Sequence, residues 1–218
     1  MKIKNLSVKF EDKKIFDDFS FEFSPNTVTA ILGSSGVGKT TLLNSIADLV
    51  PYTGKITDKG IVSYMFQEHR LIDTATVKQN LLYVLGGKKA DEGVEKEMLD
   101  ILSMVGLIDE INTPVSTLSG GMQSRVALAR AFLYPSNTLL MDEPFKSLDI
   151  GLATKLRKNL VDLLEVKPRT VILVTHDVDE AVELGDSVVI LSGRPAKPIF
   201  SAQKGCYDRR KLIEILAD

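Results

Sequence analysis

The sequence predicts an α/β fold in which helices cover both faces of a mainly parallel sheet. Short apolar runs at residues 28–32, 138–141 and 170–175 have the length of buried strands, and segments with helical spacing follow them. Alternation of strand and helix is typical of parallel sheets. Two segments depart from this alternation. The N-terminal segment predicts an antiparallel β subdomain, and the stretch 76–136 shows helical patterns alone, which predicts an inserted helical lobe.

The N-terminal segment alternates apolar and polar residues on either side of the charged turn 11–14. This alternation predicts a two-stranded hairpin with one buried face. Its apolar positions are Ile3, Leu6, Val8, Phe10, Ile15, Phe16, Phe19, Phe21 and Phe23. We expect a single domain over residues 1–218, with its core in 1–75 and 137–218 and the helical lobe in 76–136.

Composition and charge exclude several classes of protein. The chain has 218 residues, 44% hydrophobic and 26% charged, with a formal net charge of -2, so strong binding to nucleic acid has no electrostatic basis. The single Cys206 cannot form an internal disulfide, which suits a reducing cytosol. No apolar run reaches the roughly 18 residues that cross a bilayer, and no secretory signal opens the sequence. If this protein acts at a membrane, we expect that a partner brings it there.

A glycine-rich segment between a predicted strand and a predicted helix matches the phosphate-binding pattern G-x-x-x-x-G-K-[ST]. Glycines let the backbone curve, so that successive N–H groups and the positive end of the following helix face a polyphosphate. Lys39 can reach the β and γ phosphates, and the Thr40 hydroxyl can bind Mg²⁺. The expected nucleotide-binding residues here are Gly33, Ser34, Ser35, Gly36, Val37, Gly38, Lys39, Thr40 and Thr41.

Two acidic residues follow the predicted strand 138–141. Beside a phosphate-binding loop, a carboxylate at such a strand end can hold Mg²⁺ through water, and the next one can polarise the attacking water. We therefore expect Asp142 to be the metal residue and Glu143 the general base. An Asp-Glu pair alone is usually a solvated turn, and the upstream loop is what favours the catalytic interpretation.

Residues 118–123, with the sequence LSGGMQ, open a predicted helix roughly twenty residues before Asp142. They resemble the signature sequence that defines ABC ATPases. Ser119 can cap the helix, while Gly120 and Gly121 leave backbone N–H groups free to bind an anion. Taken alone, the segment would be an ordinary capped helix start. Its place among the other motifs favours the family.

Four further positions extend the resemblance from Phe10 to about residue 191, in the family's order. It implies that Gln67 contacts Mg²⁺ and water and that Asp149, in the loop 147–149, acts across a dimer interface. It also implies that His176 contacts the γ-phosphate, although a lone histidine at a strand end is more often structural. Phe10 falls where the family has a tyrosine that stacks on adenine, and a phenyl ring can stack equally well. The implied fold is the RecA-like core of P-loop NTPases.

The resemblance further implies ATP and Mg²⁺ as ligands and a head-to-tail homodimer, or a heterodimer with a homologue, that closes on two ATP molecules. Transmembrane permease subunits would dock on the helical lobe, a solute-binding protein would complete the system, and nucleic acid is not an expected partner. The chain would then lie peripherally on the inner face of the cell membrane. Two residues depart from the family pattern: Ser124 replaces a common glutamine, and Lys146 occupies a position often held by a small residue.

Three functions remain open from the sequence. Met122 and the stretches 66–71 and 192–195 look like the nitrate, sulfonate and taurine importer branch. That likeness favours an ATPase that drives import of small organic or inorganic solutes. An exporter ATPase of similar length is the first alternative, and a soluble ABC ATPase in translation, DNA repair or cluster assembly is the second. Tandem ATPase domains or a coiled-coil insertion would favour the soluble class, and the sequence shows neither.

Overall fold

The computed structural model describes residues 1–86, 91–146 and 148–217. The strands are β1 (Lys2–Phe10), β2 (Lys13–Glu22), β3 (Val28–Gly33), β4 (Thr53–Thr57), β5 (Val62–Met65), β6 (Thr138–Asp142), β7 (Thr170–Val174), β8 (Ser187–Ser192) and β9 (Lys197–Gln203). The helices are α1 (Lys39–Ile46), α2 (Val77–Tyr83), α3 (Glu92–Met104), α4 (Gly120–Leu133), α5 (Ile150–Val166), α6 (Val178–Leu184) and α7 (Arg209–Ala217). Within these described ranges, no helix has the length and apolar character needed to span a membrane.

A six-stranded sheet forms the centre of the fold, in the order β5-β6-β7-β3-β8-β9. Neighbouring strands are parallel, except that the edge strand β9 runs antiparallel to β8. All residues of β6 and β7 are buried, as expected for strands covered on both faces. The predicted α/β class with a mainly parallel sheet is confirmed. Loops that follow β3, β5, β6 and β7 therefore emerge at the same edge of the sheet.

Side chains alternate along the central strands between apolar layers on the two faces. On one face, Leu140 of β6 packs in a cluster with Leu43 of α1 and Phe16 of β2. On the other face, Leu139 of β6 belongs to the cluster that contains the buried side chains of α4 and α5. Helices α6 and α7 cover β3 and β8 through a third cluster that includes Leu212. Packing on both faces thus fixes the strand ends that carry the loops.

The N-terminal hairpin forms as predicted, because β1 and β2 pair antiparallel, and β4 joins the other edge of β1. The sequence analysis did not predict β4, whose residues are exposed apart from the half-buried Ile56. It did not predict β9 either, which contains Pro198 and lies at a sheet edge, where proline is tolerated. Both missed strands lack the apolar alternation by which strands are recognised.

Between β5 and β6 the chain forms α2, α3 and α4, with 3₁₀ turns at Ile108–Glu110 and Val115–Thr117. Helix α2 begins with a capping box: the Thr76 hydroxyl accepts from the Gln79 N–H at 3.2 Å, and the Gln79 side chain accepts from the Thr76 N–H at 2.9 Å. The helix ends at Tyr83. These three helices contribute to the cluster that covers β6.

Arg130, near the end of α4, connects this helix to the segment that follows β5. Its Nη2 donates to the His69 carbonyl at 2.8 Å, and its Nη1 donates to the Arg70 carbonyl at 2.7 Å. The Arg70 guanidinium in turn lies 3.7 Å from the centre of the Phe66 ring. The segment that carries Gln67 is thereby fixed to α4.

Candidate active site

A cavity of 470 Å³ opens at the edge of the sheet where the parallel strands end. The loop between β3 and α1 forms one wall, and residues after β5, β6 and β7 form the others. The lining residues are Ile15, Ser35, Gly36, Gly38, Lys39, Thr40, Thr41, Gln67, Asp142, Glu143, Lys146, Val174 and His176. The structure therefore brings the predicted loop, metal and base residues together with Gln67 and His176.

The loop after β3 takes its shape from a glycine at the start of α1. Gly38 has φ +120°, a conformation that side chains disfavour, and a Cβ at this position would lie 2.7 Å from the Ile15 side chain. The Gly38 carbonyl accepts from the Leu42 N–H at 2.9 Å, so the helix begins at the loop itself. The first N–H groups of α1 are thus directed towards the cavity, as an anion-binding loop requires.

Lys39 is buried at the floor of the loop. Its ammonium donates to the Gly33 carbonyl at 2.7 Å and to the Ser34 carbonyl at 3.0 Å. Burial lowers the pKa of Lys39, while the neighbouring carboxylates of Glu143 and Asp142 oppose that shift. The ammonium thus lies among oxygen atoms at the wall of the cavity, where phosphate oxygens can replace the carbonyls as acceptors.

Thr40 and Asp142 supply two adjacent oxygens. The Thr40 hydroxyl donates to Asp142 Oδ2 at 2.8 Å, and Asp142 is only 2% exposed. Burial raises the pKa of Asp142, and the bond from Thr40 offsets part of that rise. Hydroxyl and carboxylate oxygens are the donors that Mg²⁺ takes beside phosphate and water, so this pair fits the ion. No group of three or more His, Cys, Asp or Glu side chains with metal-binding geometry occurs in the described ranges.

Glu143 has an unusual backbone, and the side chains of Lys146 and His176 lie close to its carboxylate. Its φ is +50°, in the left-handed region, and its N–H donates to the Val174 carbonyl at 2.9 Å. His176 Nδ1 lies 3.3 Å from Oε1, and Lys146 Nζ lies 2.5 Å from Oε2. Burial raises the pKa of the Glu143 carboxyl, whereas Lys146 and His176 lower it. The lowering effects are together the larger, so the pKa of Glu143 is below its usual value. The carboxylate is therefore ionised and close to the cavity.

The remaining predicted residues lie outside the lining of this cavity. Gly33, Ser34 and Val37 belong to the loop without lining the cavity, and the Val37 side chain is buried in the apolar cluster that contains Leu43. Ser119 caps α4, accepting from the Met122 N–H at 3.3 Å, and begins an exposed turn that contains Gly120. Asp149 caps α5, accepting from the Leu152 N–H at 2.9 Å. Neither of these two helix ends contributes to the lining of the cavity.

Phe10 lies at the end of β1 opposite Lys13 and is 43% exposed. It does not line the cavity, whereas Ile15 of the same hairpin does. The sequence analysis did not assign a site role to Ile15, Val174 or Lys146. Only Lys146 gave a signal, as a charged residue where relatives often have a small one.

A family model described as ABC transporter matches residues 16–146 of the chain. The aliphatic sulfonates import ATP-binding protein SsuB 1 of Pseudomonas fluorescens is 37% identical over 190 residues, which are 87% of this chain and 72% of that protein. The corresponding SsuB protein of Bacillus subtilis is 38% identical over 192 residues, covering 84% of this chain and 74% of that protein.

Solved structures agree with these sequence matches. The dimeric structure of MJ0796, a bacterial ABC transporter cassette, superposes with a TM-score of 0.82 at 27% identity, covering 94% of this chain and 99% of that chain. The structure of an ATP-binding subunit of an ABC transporter has a TM-score of 0.86 at 21% identity, covering 100% of this chain and 99% of that chain. The second likeness concerns the fold alone.

Proposed function

This chain belongs to the ABC transporter family, and we propose that it hydrolyses ATP in a site that a second copy of the chain completes. It is an ATP-binding, ATP-hydrolysing subunit whose activity powers transport. The observation that carries the proposal is that two predicted phosphate-binding elements lie apart within one chain. The phosphate loop, Asp142 and Glu143 line one cavity, while the Ser119 turn lies on another element, outside its lining.

Within one chain, the loop N–H groups and the Lys39 ammonium hold the triphosphate. Thr40 and Asp142 would hold Mg²⁺ beside it, and the ion would supply positive charge that offsets the phosphate charge. Glu143 accepts the proton of the attacking water, and its oxygen contact with His176 keeps its carboxylate at the cavity wall. Gln67, which also lines the cavity, orients the water.

The second chain contributes its Ser119 turn. Helix α4 is 14 residues long, its cap is exposed, and a Cβ at Gly120 would meet no atom within 4 Å. Such a helix end attracts an anion through its free N–H groups. In a head-to-tail dimer it reaches the γ-phosphate held by the partner, and Asp149 lies at the same interface. Two ATP molecules then join the chains, and hydrolysis loosens them.

Complementing variants test this arrangement. Lys39→Ala removes the phosphate contact of its own site, and Gly121→Asp places a negative charge at the helix end where a phosphate would bind. Each variant alone should lose ATP hydrolysis, and the Gly121→Asp chain should still bind ATP. Mixed together, the two should recover activity, because a heterodimer contains one intact loop facing one intact helix end.

A mixture that stays inactive while forming heterodimers would show that the Ser119 turn serves its own chain. Gly93→Asp is the matched control, since it adds the same charge near the start of another exposed helix. It should hydrolyse ATP at the normal rate.

We further propose that the chain drives import of small organic anions of the aliphatic sulfonate class. This rests on the two relatives described above, whose names give that substrate for their own systems. Permease subunits would bind the helical segment α2–α4, a solute-binding protein would deliver the substrate, and the chain would lie on the cytoplasmic face of the membrane.

Reconstitution tests the proposed substrate class. The chain, its permease and its solute-binding protein in proteoliposomes should take up an aliphatic sulfonate when ATP is supplied on the chain's side. Nitrate and a thiamine precursor serve as competitors. Export of the sulfonate, or ATP-driven uptake of a competitor in its place, would contradict the assignment.

A further inference from the structure

Lys146 is a charged residue in the turn that follows β6. Its N–H donates to the Glu143 carbonyl at 3.3 Å, so the two residues are the ends of one tight turn. The side chain is half-exposed and lines the cavity that holds Lys39. It also lines a neighbouring cavity of 410 Å³ together with Ser124. Lys146 therefore stands between the proposed site of ATP and the segment after β5.

The two residues that depart from the family pattern lie together in this second cavity. Ser124 is buried in α4, and its hydroxyl donates to the Pro144 carbonyl at 3.4 Å. Pro144 belongs to the turn that carries both Glu143 and Lys146. A short side chain at 124 leaves space beside this turn, and the lysine lines that space.

The ammonium of Lys146 lies 2.5 Å from Glu143 Oε2. The two groups form an ion pair across the turn. The other cation of the site, Lys39, is turned towards the carbonyls of Gly33 and Ser34 and makes no ion pair with Glu143 in the part of the chain described.

A triphosphate entering the cavity brings negative charge to a wall that already carries the Asp142 and Glu143 carboxylates. Repulsion between like charges at such distances disfavours binding unless a cation offsets it. We propose that Lys146 is a positioning residue that neutralises Glu143 and holds its carboxylate in place while ATP binds, and that Ser124 leaves the room for its side chain. The inference rests on the role proposed above for Glu143.

A double-mutant cycle tests this inference in the full chain. Lys146→Met keeps the length of the side chain and removes the charge, Lys146→Arg keeps the charge, and Glu143→Gln removes the carboxylate charge. Binding of a non-hydrolysable ATP analogue with Mg²⁺ is measured by titration calorimetry. Lys146→Met should weaken binding roughly fivefold to tenfold, and Lys146→Arg should restore most of it. In the Glu143→Gln background the same change should cost less than about twofold.

Two results would overturn the inference. Unchanged affinity in Lys146→Met would mean that the lysine has no part in binding. An equal loss in both backgrounds would mean that it contacts the phosphate directly and does not act through Glu143. Lys55→Met, on the exposed strand β4, is the matched control, and thermal melting verifies that each variant folds.

A third variant examines the room at position 124. Ser124→Gln should displace the turn and weaken binding to the same degree as Lys146→Met, with no further loss when the two are combined. Additive losses would separate Ser124 from the lysine. Failure of the proposed function would appear elsewhere, as normal hydrolysis in Glu143→Gln, whereas failure of this inference appears in the coupling of analogue affinities.

Discussion

The Thr40 hydroxyl donates to the Asp142 carboxylate at 2.8 Å, although 102 positions of chain separate the two residues. One stands in the first turn of α1 and the other at the end of β6. The bond joins the phosphate loop to the acidic strand end. The two oxygens proposed to hold Mg²⁺ are thus within hydrogen-bond distance of each other.

Removing the charge of Asp142 should weaken the binding of Mg²⁺ by Thr40 and Asp142. Asp142→Asn keeps an acceptor for Thr40 and should raise the Mg²⁺ concentration for half-maximal hydrolysis at least about tenfold, because a carboxylate binds the ion better than an amide. Since the native charge is buried, the melting temperature should stay equal or rise. Asp162→Asn, on the exposed face of α5, is the control. An unchanged Mg²⁺ dependence would remove Asp142 from the metal site.

Glu143→Gln should separate proton transfer from binding. The amide keeps the shape of the side chain but cannot accept the proton of water, so hydrolysis should fall at least about 100-fold. ATP should still bind, and the chain should accumulate as an ATP-dependent dimer that Mg²⁺-ADP does not support. Sedimentation with ATP, with ADP and without nucleotide measures this. Normal hydrolysis would show that Glu143 is not the base, and a monomer with ATP at high protein concentration would count against the shared site.

Phe10 is expected to contribute affinity through its ring alone. Phe10→Ala should weaken ATP binding roughly fivefold, and Phe10→Tyr should leave it unchanged, since both aromatic rings can stack on a base. ATP and GTP should bind with affinities within about tenfold of each other. Ile15→Ala is the informative companion, because Ile15 lines the cavity and Phe10 does not. A loss of ATP affinity in Ile15→Ala alone would show that Ile15, and not Phe10, contacts the base.

Glu180 predicts a pH dependence of stability. The carboxyl is 5% exposed and accepts from the Thr175 hydroxyl at 2.7 Å. Burial raises its pKa above the usual 4.5, and the bond from Thr175 opposes part of the rise. A carboxyl with a raised folded pKa stabilises the fold below its unfolded pKa, and that contribution is lost as pH rises through the folded value.

Glu180→Gln should therefore match the native chain in unfolding free energy near pH 4 and exceed it at pH 7. Arg157 keeps a partner in the variant, because its Nε donates to Glu183 at 2.6 Å. Urea unfolding at both pH values measures the gap. A gap that is independent of pH would mean that the pKa of Glu180 is not raised.

The sequence predicted those parts of the fold in which local pattern and local chemistry coincide. A run of buried residues followed by glycines and Lys39 allows few geometries, so β3, the loop and α1 could be anticipated with the site they form. The edge strands β4 and β9 could not, because pairing with β1 and β8 rather than their own composition makes them strands.

The contacts between site residues were harder to predict from the sequence than the identity of those residues. The motifs indicated Asp142, Glu143 and His176, since each stands at the end of a predicted strand. The approach of Lys146 to Glu143 depends on the turn after β6, where the left-handed backbone of Glu143 directs the carboxylate back towards residue 146. No periodicity in the sequence encodes such a backbone conformation.

The two hydrogen bonds from Arg130 make α4 a rigid connection between the Ser119 cap and the segment after β5. The helix has 14 residues and is about 20 Å long. The Ser119 cap lies at one end, and near the other end the Arg130 guanidinium donates to the carbonyls of His69 and Arg70. We therefore expect a displacement of the segment after Gln67 to move the Ser119 end of the helix, where the partner's phosphate would bind. Arg130→Met would leave the Ser119 cap and the segment after Gln67 intact and would remove the hydrogen bonds that connect α4 to that segment.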